Sequence, residues 1–225
     1  MKDMSPEDIV RYLHEHPEFF DRYAELLMLV TIPDPHAGRA ISITEKQLFM
    51  LREKVRQLEA KLAELISFGE DNDAIAEKAH RLSLALTVAG DLPGVLRAIY
   101  AHLGGAFAVP HVTVRLWGRG SGEGAEFAPV ADDIRAQVAA LARPYCGPAS
   151  GQPVVGWFGE RGTHIRSLAL MPLRETGKGT EAWGPCFGLL VLGSEEPHRF
   201  YPEMGTMYLE RIGEMSAAAL QRVLA

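Results

Sequence analysis

Cysteine is nearly missing from this chain of 225 residues: Cys146 and Cys186 are the only two, and they stand in unlike contexts. No Cys-x-x-Cys pair exists, so the sequence offers neither a disulfide scaffold nor a thiolate metal site. Long apolar runs are missing as well. The opening residues MKDMSPEDIV have no apolar core of signal-peptide length, and the stretch around Leu190 falls far short of a membrane span. A cytoplasmic chain without a membrane segment is therefore expected. Positive charge is in deficit, with 23 Lys and Arg against 29 Asp and Glu, for a formal charge of −6. That balance disfavours a large surface for nucleic acid or anionic lipid. No Gly-x-Ser-x-Gly elbow, His-Glu-x-x-His helix or paired-carboxylate constellation occurs, so the familiar hydrolase signatures are excluded. Apolar residues at 47% and charged residues at 23% leave enough material for one ordinary domain and an appendage.

What the chain does have is a leucine ridge. Leu48, Leu51, Val55, Leu58, Leu62 and Leu65 recur at alternating intervals of four and three, the a and d positions of a heptad. Charged residues of both signs fill the positions between them, as on a solvated helix surface. Ser42 and Glu45 stand at capping-box spacing just before it. From there to Phe68 the pattern implies about 26 residues of helix, roughly 39 Å. So narrow a stripe calls for a partner helix, and a second copy of the chain is the expected cover. Whether the copies run parallel or antiparallel is open.

Three regions follow from the patterning. Residues 1–41 read as short N-terminal helices and a turn: Ser5 caps a helix that has Pro6 at its first position, and a second runs from Pro17 to Leu29. Both are expected to fold back on the long helix or on a second copy of it, and the proline-rich stretch after Val30 reads as a turn. Residues 42–90 read as the long coiled-coil or linker helix, interrupted at Gly69–Asp73 by helix-poor residues, where a kink or a shift of register is expected. Residues 91–225 read as a globular domain. Asp91-Leu92-Pro93 starts a helix, and Val112, Val114 and Leu116 alternate as in a half-buried strand. A glycine-rich loop leads to an expected second strand at Phe127–Val130, and Asp132-Asp133-Ile134 starts another helix. Strands are expected at Val154–Phe158, Ser167–Leu173 and Cys186–Gly193, the last two as an antiparallel hairpin. A closing helix spans Pro202–Leu224. This is an α+β order, an antiparallel sheet covered by helices.

The segment SLALMPLRETGKGTEAWGPCFGLLVLGSEEPHRFYPEMGTMYLERIGEMSAAALQRV resembles the second half of a GAF domain: a strand ending in Pro-Leu, a loop, a Gly-x-Leu-x-Leu-Gly-Ser-like strand, and a long terminal helix. DLPGVLRAIYAHLGGAFAVPHVTVRLW resembles that family's first helix and strand. YLHEHPEFFDRYAELL and PHAGRAISITEKQLFMLREKVRQLEAKL are similar to a bacterial family of unknown function with an N-terminal helical segment and a GAF-like domain. Some of its members are encoded beside the chromosome-dimer-resolving tyrosine recombinase. The resemblance implies a ligand site between the sheet and its overlying loops, with occupancy relayed along the helical connection near Gly69. The departures are specific. Neither Cys146 nor Cys186 is followed by histidine, which speaks against a covalent bilin, and the Asn-Lys-Phe-Asp-Glu signature of cyclic-nucleotide binders is not recognisable. No cofactor is identified.

The chemical candidates are weighed against that background. His14, His16 and His36 lack a ligand pattern, so no metal site is expected. The Gly118-x-Gly120-x-Gly122-x-Gly124 run lacks the Lys-Ser/Thr and the following helix of a phosphate loop. Arg115, Trp117, Trp157, His164, Arg166 and Ser167 are the expected lining of a ligand site, with Trp183 on a loop placed to act as a lid. The expected function is a non-catalytic sensory or regulatory homodimer that binds a small ligand or a protein. One alternative is a thiol enzyme using Cys146 and Cys186, similar to the GAF-like reductases of free methionine sulfoxide. Another is a ligand-free docking scaffold for a recombination or division protein.

Overall fold

The structure is a computed structural model that describes residues 5–29, 31–33, 40–175 and 184–224, with side chains given for 5–26, 46–175 and 184–224. Trp183, His36 and the Ser42 and Glu45 side chains lie outside what is described. The chain divides into two compact units, Met1–Gly69 and Glu70–Ala225, and each is taken by itself.

In the first unit, α1 (Pro6–Glu15) starts on a complete capping box. The Ser5 hydroxyl accepts from the Asp8 amide at 3.2 Å, and the Asp8 carboxylate accepts from the Ser5 amide at 3.2 Å. The expected second helix is two short ones, α2 (Phe19–Arg22) and α3 (Ala24–Leu29), broken at Tyr23. The stretch expected as a bare turn carries two short antiparallel strands, β1 (Thr31–Pro33) and β2 (Ala40–Ser42), with Ile32 opposite Ile41. The long helix α4 (Ile43–Val88) begins directly after β2. It runs through Gly69–Asp73 with no break, because strong helix formers on both sides, and Glu70 within, propagate across the four poor ones. Neither α1 nor α2 has a buried residue, and Ile9, Val10, Tyr23 and Leu26 are exposed.

In the second unit, the order is the end of α4, α5 (Leu92–Ala101), β3 (His111–Leu116), α6 (Asp132–Ala140), β4 (Tyr145–Pro148), β5 (Ser167–Arg174), β6 (Cys186–Ser194) and α7 (Met207–Val223). Asp91 caps α5 by accepting from the Gly94 amide at 2.8 Å. The helix then widens into a π turn, His102–Ala106, at Gly104-Gly105. The four strands form one antiparallel sheet in the order β3-β6-β5-β4. Two strand expectations are corrected. Phe127–Val130 is no strand: Ala125–Phe127 is a 3-10 turn beside β3, whose partner is β6. Val154–Phe158 lies in a 3-10 run, Pro153–His164, kinked at Gly159 where φ is +61°, and the extra strand is β4 instead.

Alternation along each strand feeds two cores. Val114, Leu116, Met171, Leu173, Leu190 and Leu192 face Leu82 and Leu86 of α4, Ile99 of α5, and Ile212 and Leu220 of α7. Leu168, Leu170, Leu189 and Val191 face Val130, Ile134 and Val138 around α6, and Val154 of the 3-10 run. Helices thus cover both faces, the α+β layering expected from the sequence. Arg222 of α7 donates to the carbonyls of Leu86 at 2.8 Å and Ala89 at 2.6 Å, capping the end of α4. Gly188 sits where strands close in: a Cβ there would stand 2.7 Å from the Arg115 carbonyl and 3.0 Å from Leu173.

Candidate functional site

Among the residues expected at a ligand site, Arg115 and Trp157 are together. Arg115 points from β3 toward the α6 side of the sheet and is only 8% exposed. Its guanidinium donates to the Thr113 hydroxyl and the Val114 carbonyl, both at 3.2 Å, and lies 5.3 Å from the Trp157 ring centre. No carboxylate among the described residues pairs with it. Tyr100, whose ionisation Arg115 also influences, donates its hydroxyl to Glu126 at 3.0 Å. Burial, reinforced by the Glu126 charge, pushes that phenol well above its usual range. Trp117 joins the same core, its indole donating to the Cys186 carbonyl at 3.1 Å and so holding the end of β3 to the start of β6.

The remaining candidates do not converge on this pair. Arg115 stands opposite Leu189 and Ser167 opposite Ser194, five residues further along β6, or roughly 17 Å at about 3.3 Å per residue. Ser167 is buried and already committed, donating to the Glu196 carbonyl at 2.7 Å and accepting from the Phe200 amide at 3.4 Å. His164 and Arg166 are exposed; Arg166 borders an open hollow of about 650 Å³ lined also by Gln152 and Pro197. On the sheet face of Arg115, the side chains of α6 and of the 3-10 run pack as a second core.

The two thiols are also apart. Cys146 pairs with Ala169, Ala169 with Leu192, and Cys186 lies six residues from Leu192 on β6. That is roughly 20 Å along the strand, where a disulfide needs Cα atoms within about 7 Å. Burial raises the Cys146 thiol to about 11, and burial also raises Cys186. Both shifts oppose the low-pKa thiolate that redox catalysis requires. Among the described residues, no three His, Cys, Asp or Glu side chains gather as a metal site, and no helix is long and apolar enough to cross a membrane.

Two further features stand out, the first without a sequence signature and the second on the ridge expected from the sequence. The first is a half-open hollow of about 210 Å³ between α7, β5 and the loop from α6 to β4. It exists because β4 pairs with β5 only from Ser167 to Leu170, leaving Met171–Arg174 with β6 on one side and no strand on the other among the described residues. Pro172 is tolerated in β5 there, since it has no N–H to leave unpaired at an open edge. Met171, Leu209, Gly213 and Ala217 form the floor, while Arg143, Arg174, Glu210 and Glu214 stand around it. The second is the ridge on α4. Leu48, Leu51, Val55, Leu58, Leu62 and Leu65 are all between 48% and 66% exposed, as are Phe49, Met50, Ile66 and Phe68 at 54% or more. A contiguous exposed strip of this kind marks an interaction surface rather than scattered surface apolars.

Residues 1–224 match the family model described as "Protein of unknown function, DUF484". The chain is 23% identical to the uncharacterized protein YigA of Salmonella typhimurium over 231 residues, which cover 99% of this chain and 93% of the relative. It is 24% identical to the Shigella flexneri protein of that name and 23% identical to that of Escherichia coli K12, each over 229 residues with the same coverage.

Proposed function

The chain belongs to the DUF484 family, whose description assigns no function, and from its geometry we propose a non-catalytic regulatory module that works as a homodimer. Two copies join through the Leu48–Leu65 ridge of α4, and each carries a GAF-like sheet domain that binds a small ligand or a protein partner. The observation that carries this reading is the ridge: six heptad positions on one helix stripe, each about half exposed in the single chain. Covering the remaining half of each side chain is worth roughly 1 kcal/mol apiece, repeated on both copies, which is of the same order as the cost of association. Mixed charges on the outer face of the helix, such as Arg56 bonded to Glu53 at 3.0 Å, keep that side in water. The separation and the raised pKa values of Cys146 and Cys186 weigh against the thiol-enzyme alternative.

A second reading has its own support. The core packed on the Arg115 face, where the GAF resemblance implies a ligand, favours a sheet domain that serves as a docking scaffold. Sedimentation of the full chain tests the pairing that both readings share. The wild type is expected to run as a dimer at micromolar concentration and Leu58→Lys as a folded monomer. A monomeric wild type, or a Leu58→Lys chain that stays dimeric, overturns it.

A further inference from the structure

The hollow at the open edge of β5 has a charge arrangement that its own residues do not satisfy. Arg143 comes from the loop after α6, Arg174 from β5, and Glu210 from α7, with Met171 and Gly213 between them as floor. Opposite charges that border one small space usually meet. Here no ion pair within 4 Å joins either arginine to Glu210 or Glu214, although ion pairs form elsewhere in the unit, as between Arg119 and Glu175 at 2.7 Å. Arg174 is instead held by the end of α6, donating to the carbonyls of Ala139 at 2.7 Å and Leu141 at 3.0 Å. Glu210 is steadied by the Thr206 hydroxyl at 2.9 Å through one oxygen, which leaves its other oxygen for a donor. Arg174 and Glu210 are therefore each held by contacts of their own rather than by each other, and both border the apolar floor.

We propose that this hollow binds a small free zwitterion, an amino acid with a compact apolar side chain. The ligand carboxylate lies toward Arg143 and Arg174, its ammonium toward Glu210, and its side chain on Met171 and Gly213. A volume of about 210 Å³ equals about seven waters at roughly 30 Å³ each, the bulk of a molecule of seven to ten non-hydrogen atoms. Two charge-assisted contacts, one to each end of the ligand, select for both charges at once. Gly213 of α7 packs against Met171 of β5, where a Cβ would make an ordinary contact at 3.4 Å, so helix and strand lie close beneath the hollow. The assignment deepens the ligand half of the proposed function and does not depend on the dimer.

Calorimetric titration of the full chain with L-leucine and L-methionine, and with 4-methylvalerate and isopentylamine as the separate charge halves of leucine, tests the assignment. At least one of the two amino acids is expected to bind at least tenfold more tightly than either half. Arg143→Ala and Glu210→Gln are each expected to weaken that binding at least tenfold with the thermal midpoint of the free protein little changed. Absence of binding by both amino acids, equal binding of a half-molecule, or full affinity in both variants overturns the site. Sedimentation of the same samples reads pairing separately, so failure of the site and failure of the dimer are told apart.

Discussion

The guanidinium of Arg115 lies 5.3 Å from the ring centre of Trp157, bonded only to the Thr113 hydroxyl and a neighbouring carbonyl. A buried cation held by a ring and neutral acceptors is a place where two side chains stabilise each other. A double-mutant cycle with Arg115→Met and Trp157→Leu is expected to give a coupling energy of about 1 kcal/mol by denaturant unfolding. Trp157→Ala alone is expected to cost about 2–4 kcal/mol, since it opens the core beside the cation as well.

Leu58 and Leu82 lie on the same helix in opposite circumstances. Leu82 is fully buried among α5 and α7, whereas Leu58 is 55% exposed. Leu82→Ala is expected to lower unfolding free energy by about 3 kcal/mol at any protein concentration. Leu58→Ala is expected to act through pairing, so that its effect on the melting temperature grows as the protein is concentrated. Melting curves over a hundredfold concentration range separate the two.

Gly188 stands in the central strand β6 between Leu116 and Leu173. Because an added methyl would sit 2.7 Å from the Arg115 carbonyl, Gly188→Ala forces β3 and β6 apart. The expected loss is about 2–3 kcal/mol, measured by urea unfolding, with amide-exchange protection falling first along β3.

Burial keeps the Cys146 thiol neutral by raising it to about 11, above its ordinary value of 9.0. The folded state therefore binds this proton more tightly than the unfolded chain. Its stabilising contribution is complete below pH 9 and is lost as pH rises toward 11. The wild type is expected to lose stability over that window more steeply than Cys146→Val, by thermal melts from pH 8 to pH 11. Cys146 is expected to resist iodoacetamide at neutral pH until the protein unfolds.

Much of the sheet domain was legible because its strands carry their own period. Val112, Val114 and Leu116 alternate, Ser167–Leu173 and Cys186–Gly193 are continuous apolar runs, and their succession in the chain across one polar loop made them a hairpin. The failures came where local pattern is ambiguous. Val154, Val155, Trp157 and Phe158 form a short apolar run of the kind that suits a strand or a buried helical turn alike. Gly156 and Gly159 let it coil onto the sheet. The partner of β3 lies some seventy residues away on β6, a register that no local signal encodes. Of the expected site, Arg115 and Trp157 meet, but His164, Arg166 and Ser167 belong to the far end of the sheet. The hollow beside α7 was invisible because Arg143, Arg174 and Glu210 come from three separate elements and form no motif. The one hint was Pro172 inside an otherwise apolar strand.

That proline also bears on how molecules of this protein avoid one another in a crowded cell. A bare strand margin invites a neighbouring chain to add itself as the next strand, and repetition of that step leads to fibres. At Pro172 the donor such a newcomer would need is absent, and a strand approaching there would lose a rung of its ladder. The margin is thus closed to polymer growth while staying open to a guest too small to form a ladder.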